Sequence, residues 1–166
     1  MLTLGIDPGL SGAVAVLAAD GTAECVIDLP VIRDLKLAWI DGGELQSQLL
    51  EVLQGRPAQV MIERVHAMPK QGITSSFTFG ITFGSILGTL RCMGLPIQFA
   101  EPHAWKKQSG LHAPNKSLTE KKHAALDRAR LLFPNMELHL AKHHGRADAL
   151  LIARWAQSLR QVAEAA

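Results

Sequence analysis

Three carboxylates stand in or at the end of segments that are otherwise largely predicted to pack in the core. Asp7 ends the first predicted strand in GIDPG, and Glu63 ends the apolar run VMIE. Asp148 lies in KHHGRADALLIA, where alanines and leucines predict a helix face packed on a sheet. A charged side chain in such surroundings is usually paired or binds a metal ion. These three residues are our candidate metal ligands.

Their positions predict a shared site. If the strands that end at Asp7 and Glu63 pair in parallel, they lie about 5 Å apart and release both acids at one sheet edge. Ligands of open α/β sheets bind beyond that edge, and two acids there repel each other unless a cation lies between them. His144 lies four residues before Asp148, so on one helix the two share a face. Oxygen ligands with one imidazole suit Mg²⁺ or Mn²⁺.

Each candidate also has a structural interpretation. An aspartate before Pro-Gly, such as Asp7, is commonly a turn residue. Glu63 can pair with a nearby arginine, Arg64 or Arg91. Asp148 can be an acid favoured by the dipole at a helix N-terminus, and the two adjacent histidines, 143 and 144, can be exposed loop residues.

The elements that must position these residues predict an α/β fold. Strands that follow the first helix can join the first strand in parallel through right-handed crossovers. The result is a five-stranded mixed sheet, three antiparallel strands followed by two parallel ones, flanked by helices. The predicted elements are strands at 2–7, 12–19 and 22–29, a helix capped by Asp41, a strand at 59–63, a helix at 76–93, a strand at 96–101, a helix that begins with the capping box of Ser117 and Glu120 and stops at Pro134, and a helix at 146–162.

Length and composition predict one globular domain over residues 1–166. The chain is 48% hydrophobic and 19% charged, which excludes general disorder. No apolar run approaches the roughly 20 residues that cross a bilayer, and the N-terminus lacks the pattern of a signal peptide. We therefore expect a protein of the bacterial cytoplasm with no membrane partner and with Cys25 and Cys92 reduced.

The net charge of +2 hides an asymmetry. Residues 1–63 carry a net charge of −6 and residues 64–166 a net charge of +8. Segregated positive charge indicates a polyanionic partner, and an exposed basic helix face explains it equally well.

Glycines recur every fourth residue in the helix predicted at 76–93, at Gly80, Gly84 and Gly88. A glycine costs roughly 1 kcal/mol relative to alanine in a helix. Three of them on one stripe predict the close approach of another backbone, either the sheet or a second subunit.

Three motifs together resemble a known family. In this order and spacing, GIDPGLSGAVAV, IERVHAMPKQG and HHGRADALLIA resemble the RuvC-type Holliday-junction resolvases, which are crossover junction endodeoxyribonucleases of the RNase H-like superfamily. The tract HAMPKQGITSSFTFG resembles phage and prophage members. The resemblance covers roughly residues 2–156. It implies a homodimer that binds branched DNA, cuts four-way junctions symmetrically with Mg²⁺ and leaves 5′-phosphate nicks.

The resemblance also implies roles for the candidate residues. Asp7, Glu63 and Asp148 match the family's metal-binding, catalytic carboxylates, with two Mg²⁺ ions per site and Mn²⁺ able to substitute. Two such ions activate a water and stabilise the leaving 3′ oxygen. Many members carry the fourth ligand three residues before the last aspartate, where this chain has Gly145. His144 is the expected substitute, with His143 left open.

A DNA-binding surface follows from the same comparison. The loop at 64–76 directly follows Glu63. In the family, an aromatic side chain three residues after this glutamate wedges into the centre of the junction, and here that position holds a histidine with Met-Pro beyond it. Lysines after the fifth predicted strand and at the start of the basic helix match phosphate-contacting positions. The glycine stripe is the predicted dimer interface. Trp105 is expected in the core, with base stacking as the alternative. The predicted DNA-contacting residues are His66, Met68, Lys70, Lys106, Lys107, Lys121 and Lys122.

Three other functions stay open at this point. A nuclease of flaps or forks would use the same site, and an ATPase or sugar-kinase-like enzyme would grip phosphate with GIDPGLSG. A catalytically silent junction-binding module would do neither reaction. The sequence also leaves open the cleavage preference, a phage or host role and the need for a helicase partner.

Overall fold

The fold is organised around a five-stranded mixed sheet. The computed structural model describes residues 1–35, 37–66, 71–111 and 117–164. The central strand pairs antiparallel with the second strand and parallel with the strand that follows the first helix, so the predicted fold class is confirmed. In spatial order the strands are β3 (Ala23–Asp28), β2 (Ala13–Leu17), β1 (Leu2–Asp7), β6 (Ala58–Glu63) and β7 (Ile97–Ala100).

Helices cover both faces of this sheet. On one face α5 crosses β1 and β2 and packs with α3 and α4 around one apolar cluster. On the other face α1 and α2 pack around a second cluster. The alternation of strand side chains divides β2 between the two clusters, with Ala13, Ala15 and Leu17 on the α5 side and Val14 and Val16 on the other. The helices are α1 (Gly42–Leu53), α2 (Ile73–Cys92), α3 (Pro102–Gln108), α4 (Leu118–Leu132) and α5 (His144–Glu164).

Two helix starts confirm the capping signals. The Asp41 carboxylate accepts hydrogen bonds from the backbone N–H groups of Gly43 and Glu44, at 3.0 and 3.1 Å. Ser117 and Glu120 form the complete capping box at the start of α4. Both caps satisfy N–H groups that have no partner inside the helix.

The structure contains a hairpin and a short helix that were not predicted. A separate hairpin of β4 (Val31–Asp34) and β5 (Leu37–Ile40) precedes α1. Its turn carries Leu35 with φ of 45°, a conformation usually signalled by glycine or asparagine, and neither stands there. The short helix α3 follows β7 directly. In addition, α2 begins at Ile73, three residues before the predicted start.

Helix α2 presents most of its length to the surface. It packs on the protein through Thr82, Ile86 and Leu90. Judged by length and composition alone, α2 is long and apolar enough to cross a membrane, which differs from the expectation that the chain lacks such a segment. The expectation missed it because glycine, serine and threonine interrupt the apolar run. One such helix is weak evidence for a membrane span, because a helix that packs against protein meets the same criteria.

Helix α5 lies against the backbone of β1 and of the turn that follows it. A Cβ on Gly5 would overlap the backbone of Ala149 and Ala153, and a Cβ on Gly145 would overlap the Ser11 carbonyl. Only glycine permits this approach at both positions. The close packing sets the position of α5, and with it the position of Asp148.

We predict that Gly5→Ala destabilises the protein by about 1–3 kcal/mol, because the added methyl group forces α5 away from β1. Gly43→Ala, on α1, is the matched control. A Cβ there meets only Asp41 Oδ1 at 3.4 Å, so the better helix propensity of alanine should raise the free energy of unfolding by up to about 1 kcal/mol. Urea unfolding of both variants measures the difference, and changes of the same sign would contradict the packing argument.

Candidate active site

Asp7 and Glu63 lie at adjacent strand ends. β1 and β6 pair in parallel with Ile6 opposite Ile62. Asp7 and Glu63 are the next residues of each strand and the last of each. The predicted parallel pairing is therefore confirmed, and both acids leave the sheet at one edge.

Asp148, on the second turn of α5, joins them. The pKa of Asp7 is raised to about 8, first by burial and then by the nearby charges of Asp148 and Glu63, against the lowering effect of Lys106. The pKa of Asp148 is raised to about 7, chiefly by burial, with Lys106 lowering it and Glu63 raising it. The three predicted carboxylates thus form one cluster of mutually repelling groups.

The chemistry of this cluster suits a hard divalent cation. Oδ1 of Asp148 is buried and has no hydrogen-bond partner among the described residues, which is unusual for a buried oxygen. Carboxylate oxygens are the ligands that Mg²⁺ and Mn²⁺ prefer. Within the described ranges, however, no three His, Cys, Asp or Glu side chains are grouped tightly enough to hold a metal ion as they stand. The three acids lie near one another, but as they stand they do not form a complete coordination sphere for a metal ion.

Two residues of α3 contact Glu63. The indole Nε1–H of Trp105 donates a hydrogen bond to Glu63 Oε1 over 3.1 Å. Nζ of Lys106 lies 3.5 Å from the same oxygen and 4.8 Å from the centre of the Trp105 ring. Trp105 lies in the core, as predicted, but its contact with Glu63 was not predicted. The available signal was that a buried tryptophan needs an acceptor for its N–H.

The arginines considered as partners of Glu63 do not fill that role. Arg64 pairs with Glu101 at 2.6 Å and stacks on the Phe99 ring. The structure records no ion pair between Arg91 and Glu63. The alternative interpretation, in which Glu63 forms an ion pair with a nearby arginine, is therefore wrong.

Three of the predicted DNA-contacting lysines converge beside Asp148. Lys106, Lys121 and Lys122 line a cavity of about 200 Å³ together with Asp148. Positive side chains from α3 and α4 therefore face the carboxylate cluster. Lys107 is exposed on α3, outside the residues that line this cavity.

The predicted wedge loop is described only in part. His66 is exposed and lies three residues beyond the end of β6. Met68 and Lys70 lie outside the described residues.

The two adjacent histidines have different surroundings. His144 begins α5 and is partly buried, and it makes no hydrogen bond or ion pair within the described part of the chain. His143 is buried and packs edge-on against His139, with ring centres 5.3 Å apart. Burial and the charge of Arg146 lower the pKa of His143, and Asp28 is among its charged neighbours. Because those neighbours do not include the carboxylate cluster, His144 stays the predicted fourth ligand.

Packing explains the glycine at position 145, three residues before Asp148. A side chain there would overlap the backbone of Ser11 and approach Gly12 Cα to 3.0 Å. The first turn of α5 rests directly on the β1–β2 turn, so this position cannot supply a metal ligand in this chain.

Arg146 anchors the same turn of α5. Its guanidinium forms a bidentate pair with Asp28 at the end of β3, with both N···O distances 2.6 Å, and Nη1 lies 3.2 Å from Glu137 Oε2. Bidentate pairs fix geometry as well as charge. The anchor lies two residues before Asp148 and was not identified from the sequence, although its arginine stands in the third motif.

The predicted dimer glycines face outward. Gly80, Gly84 and Gly88 are exposed, and a Cβ on any of them meets nothing within 4 Å. The sheet is therefore not the backbone that the stripe approaches. A second subunit is the alternative that stays as a prediction.

Comparisons with known proteins agree with the resemblance seen in the three motifs. No protein-family model matches the chain. Over 91 residues, 54% of the chain, it is 40% identical to the chloroplastic Holliday junction resolvase MOC1 of Chlamydomonas reinhardtii, and the match spans 10% of that protein.

The fold has solved counterparts. RuvC of Thermus thermophilus in complex with a Holliday junction substrate superposes with a TM-score of 0.62 and 21% identity, covering 97% of this chain and 96% of that chain. A second structure of Thermus thermophilus RuvC gives a TM-score of 0.57 at the same identity and coverage. The predicted RuvC-like, RNase H-like fold is thus confirmed.

We predict that Asp7→Asn stabilises the metal-free protein in a pH-dependent way. The folded-state pKa values of about 8 for Asp7 and about 7 for Asp148 exceed the ordinary aspartate value of about 3.9. The folded state therefore binds these protons more tightly, and stability falls as pH rises from about 4 to about 8. Asparagine at position 7 removes the cost of ionising one of the two buried aspartates. The free energy of unfolding should therefore rise by a few kcal/mol at pH 9 and change little at pH 4.

Urea unfolding in EDTA at both pH values measures this gain. Asp34→Asn, at an exposed position on β4, is the control that should leave the pH profile unchanged. An equal gain from Asp7→Asn at pH 4 and pH 9 would contradict the assignment of Asp7 to a strained carboxylate cluster.

Proposed function

We propose that this chain is a metal-dependent endodeoxyribonuclease that resolves four-way DNA junctions. The observation that carries the proposal is the assembly of Asp7, Glu63 and Asp148 at one sheet edge, beside a lysine-lined cavity. The similarity to a Holliday junction resolvase and the shared fold with RuvC support the choice of substrate.

The three carboxylates, with His144 as fourth ligand, are the residues that would hold two Mg²⁺ ions, and Mn²⁺ would substitute. Such ions activate a water and stabilise a leaving alkoxide. Burial suits this role, because a buried carboxylate oxygen such as Asp148 Oδ1, which has no hydrogen-bond partner among the described residues, gains most from a bound cation.

The reaction is hydrolysis of a phosphodiester by in-line displacement. A water oxygen forms the new bond to phosphorus, the bond to the 3′ oxygen breaks, and the leaving oxygen takes up a proton. The products carry a 5′-phosphate and a 3′-hydroxyl. Lys106, Lys121 and Lys122 bind the backbone phosphates beside the acids, which makes affinity depend on salt without reading sequence.

A homodimer would present two such sites to a junction with two equivalent strands. The stripe of α2 suits an interface between two copies. Beside its glycines it exposes Ile73 and Phe77, at 90% and 58% of their surface. Apolar side chains of this size next to exposed glycines permit two helices to approach closely.

We predict that the protein makes paired nicks in a labelled four-way junction in Mg²⁺, and none in EDTA or on linear duplex. Asp7→Asn should abolish cleavage and leave junction binding within about twofold, because it removes one metal ligand and no phosphate contact. Gel assays of cleavage and binding on the same preparations measure both. Cutting of flaps in place of junctions would show that the substrate is a flap and not a junction. Tight binding without cutting in Mg²⁺ or Mn²⁺ would indicate a catalytically silent binding module.

We predict that Gly84→Leu converts a dimer to a monomer. A Cβ at Gly84 meets no described atom within 4 Å, so the variant should fold, but the leucine would block the approach of a second helix. Sedimentation velocity measures the mass of the particle. Gln46→Leu, which adds the same side chain to an exposed position of α1, should leave the mass unchanged. An unchanged dimer in Gly84→Leu would exclude this stripe as the interface.

A further inference from the structure

The contact between Trp105 and Glu63 has features that core packing alone does not require. Trp105 is completely buried in the cluster between the sheet, α4 and α5. A core position needs volume and shape, which an aliphatic or phenyl side chain also supplies. The indole adds one N–H donor, and that donor is bonded to Glu63 Oε1 at 3.1 Å. The acceptor is a candidate metal ligand.

The contact engages one oxygen of the carboxylate. Oε1 of Glu63 has both Trp105 Nε1 and Lys106 Nζ as neighbours, at 3.1 and 3.5 Å. No hydrogen bond within the described residues is made to Oε2. The arrangement therefore restricts the rotation of the carboxylate and keeps its second oxygen available.

The two donors differ in charge. The Lys106 ammonium is a cation on a flexible stem, so it neutralises the acids and competes with any other cation. The Trp105 indole is neutral and held rigidly by the core around it. It can orient Glu63 without cancelling the negative charge that attracts a metal ion.

We propose that Trp105 is a positioning residue for Glu63, which it holds through the indole N–H in the orientation that binds the divalent ion. The inference rests on the proposed function, because it assumes that Glu63 is a metal ligand. Trp105 touches neither the metal nor DNA in this assignment and acts only through the carboxylate.

The test is Mn²⁺ binding to the full-length protein without DNA, measured by titration calorimetry. Trp105→Phe keeps an aromatic ring in the core and removes the N–H, and it should weaken Mn²⁺ binding about tenfold. Trp155→Phe is the matched control, because Trp155 packs against the same cluster and its indole contacts no carboxylate in the described structure. That variant should bind Mn²⁺ within about twofold of wild type.

A second comparison separates positioning from packing. In a Glu63→Ala background, which removes the acceptor of the indole N–H, adding Trp105→Phe should cause no further loss of Mn²⁺ affinity, because the group through which Trp105 acts is absent. A full second loss in the double variant would show that Trp105 acts through packing and would overturn the inference. Junction binding in EDTA should stay unchanged in both Trp105 variants.

The inference stays testable if Trp105→Phe does not fold. Wild-type protein has three tryptophans, and Trp39→Phe and Trp155→Phe assign the other two indole N–H signals in a ¹⁵N NMR spectrum. The Trp105 signal should shift in Glu63→Gln and on addition of Mg²⁺. An unchanged signal in both cases would overturn the inference.

The outcomes distinguish this inference from the function on which it rests. A wild-type protein that neither binds Mn²⁺ nor cuts junctions would overturn both. A wild type that does both, with a Trp105→Phe variant of equal Mn²⁺ affinity, would overturn the positioning role and leave the nuclease assignment standing.

Discussion

Backbone contact between α5 and β1 is the constraint on which the candidate site depends. Gly5 lets the helix lie against the central strand, and Gly145 lets its first turn rest on the turn after β1. Asp148 is carried by this helix, whereas Asp7 ends the strand beneath it. A side chain at either glycine would separate the two elements and take Asp148 away from Asp7. The same close approach excludes a metal-binding side chain at position 145. The residue at this position is therefore determined by packing and not by metal binding.

The packing of the site brings together negative charges that repel each other. Burial and mutual repulsion raise the pKa of Asp7 and Asp148, so assembling the acids costs stability when they are ionised. Lys106 offsets part of this cost as the nearest cation, and the bidentate pair of Arg146 with Asp28 anchors the helix end from outside the cluster. A bound divalent cation would offset the remainder. A site of this kind is expected to bind metal because its metal-free form is strained.

Helix α2 shows the opposite relation between sequence and packing. Its glycines lower helix propensity although no contact among the described residues needs them, and its exposed face includes large apolar side chains. Length and hydropathy alone do not distinguish a helix that meets a second subunit from one that enters a membrane. What the fold adds is that the opposite side of α2 packs on α1 and β5, so one face is committed to this domain and the other is available for a partner.

Much of the site was determined by the sequence itself. The order of strands and helices, both helix caps and the positions of the three acids at element ends follow from local signals, namely apolar periodicity, capping residues and turn residues. The β4–β5 hairpin escaped prediction because its turn at Leu35 carries no local signal. Only the tertiary structure brought Trp105 to Glu63, gathered the lysines of α3 and α4 around Asp148, and separated the surroundings of His143 from those of His144. These contacts join residues that are far apart in the chain, or they depend on how a helix is rotated about its axis. The periodicity of apolar residues along the sequence determines neither.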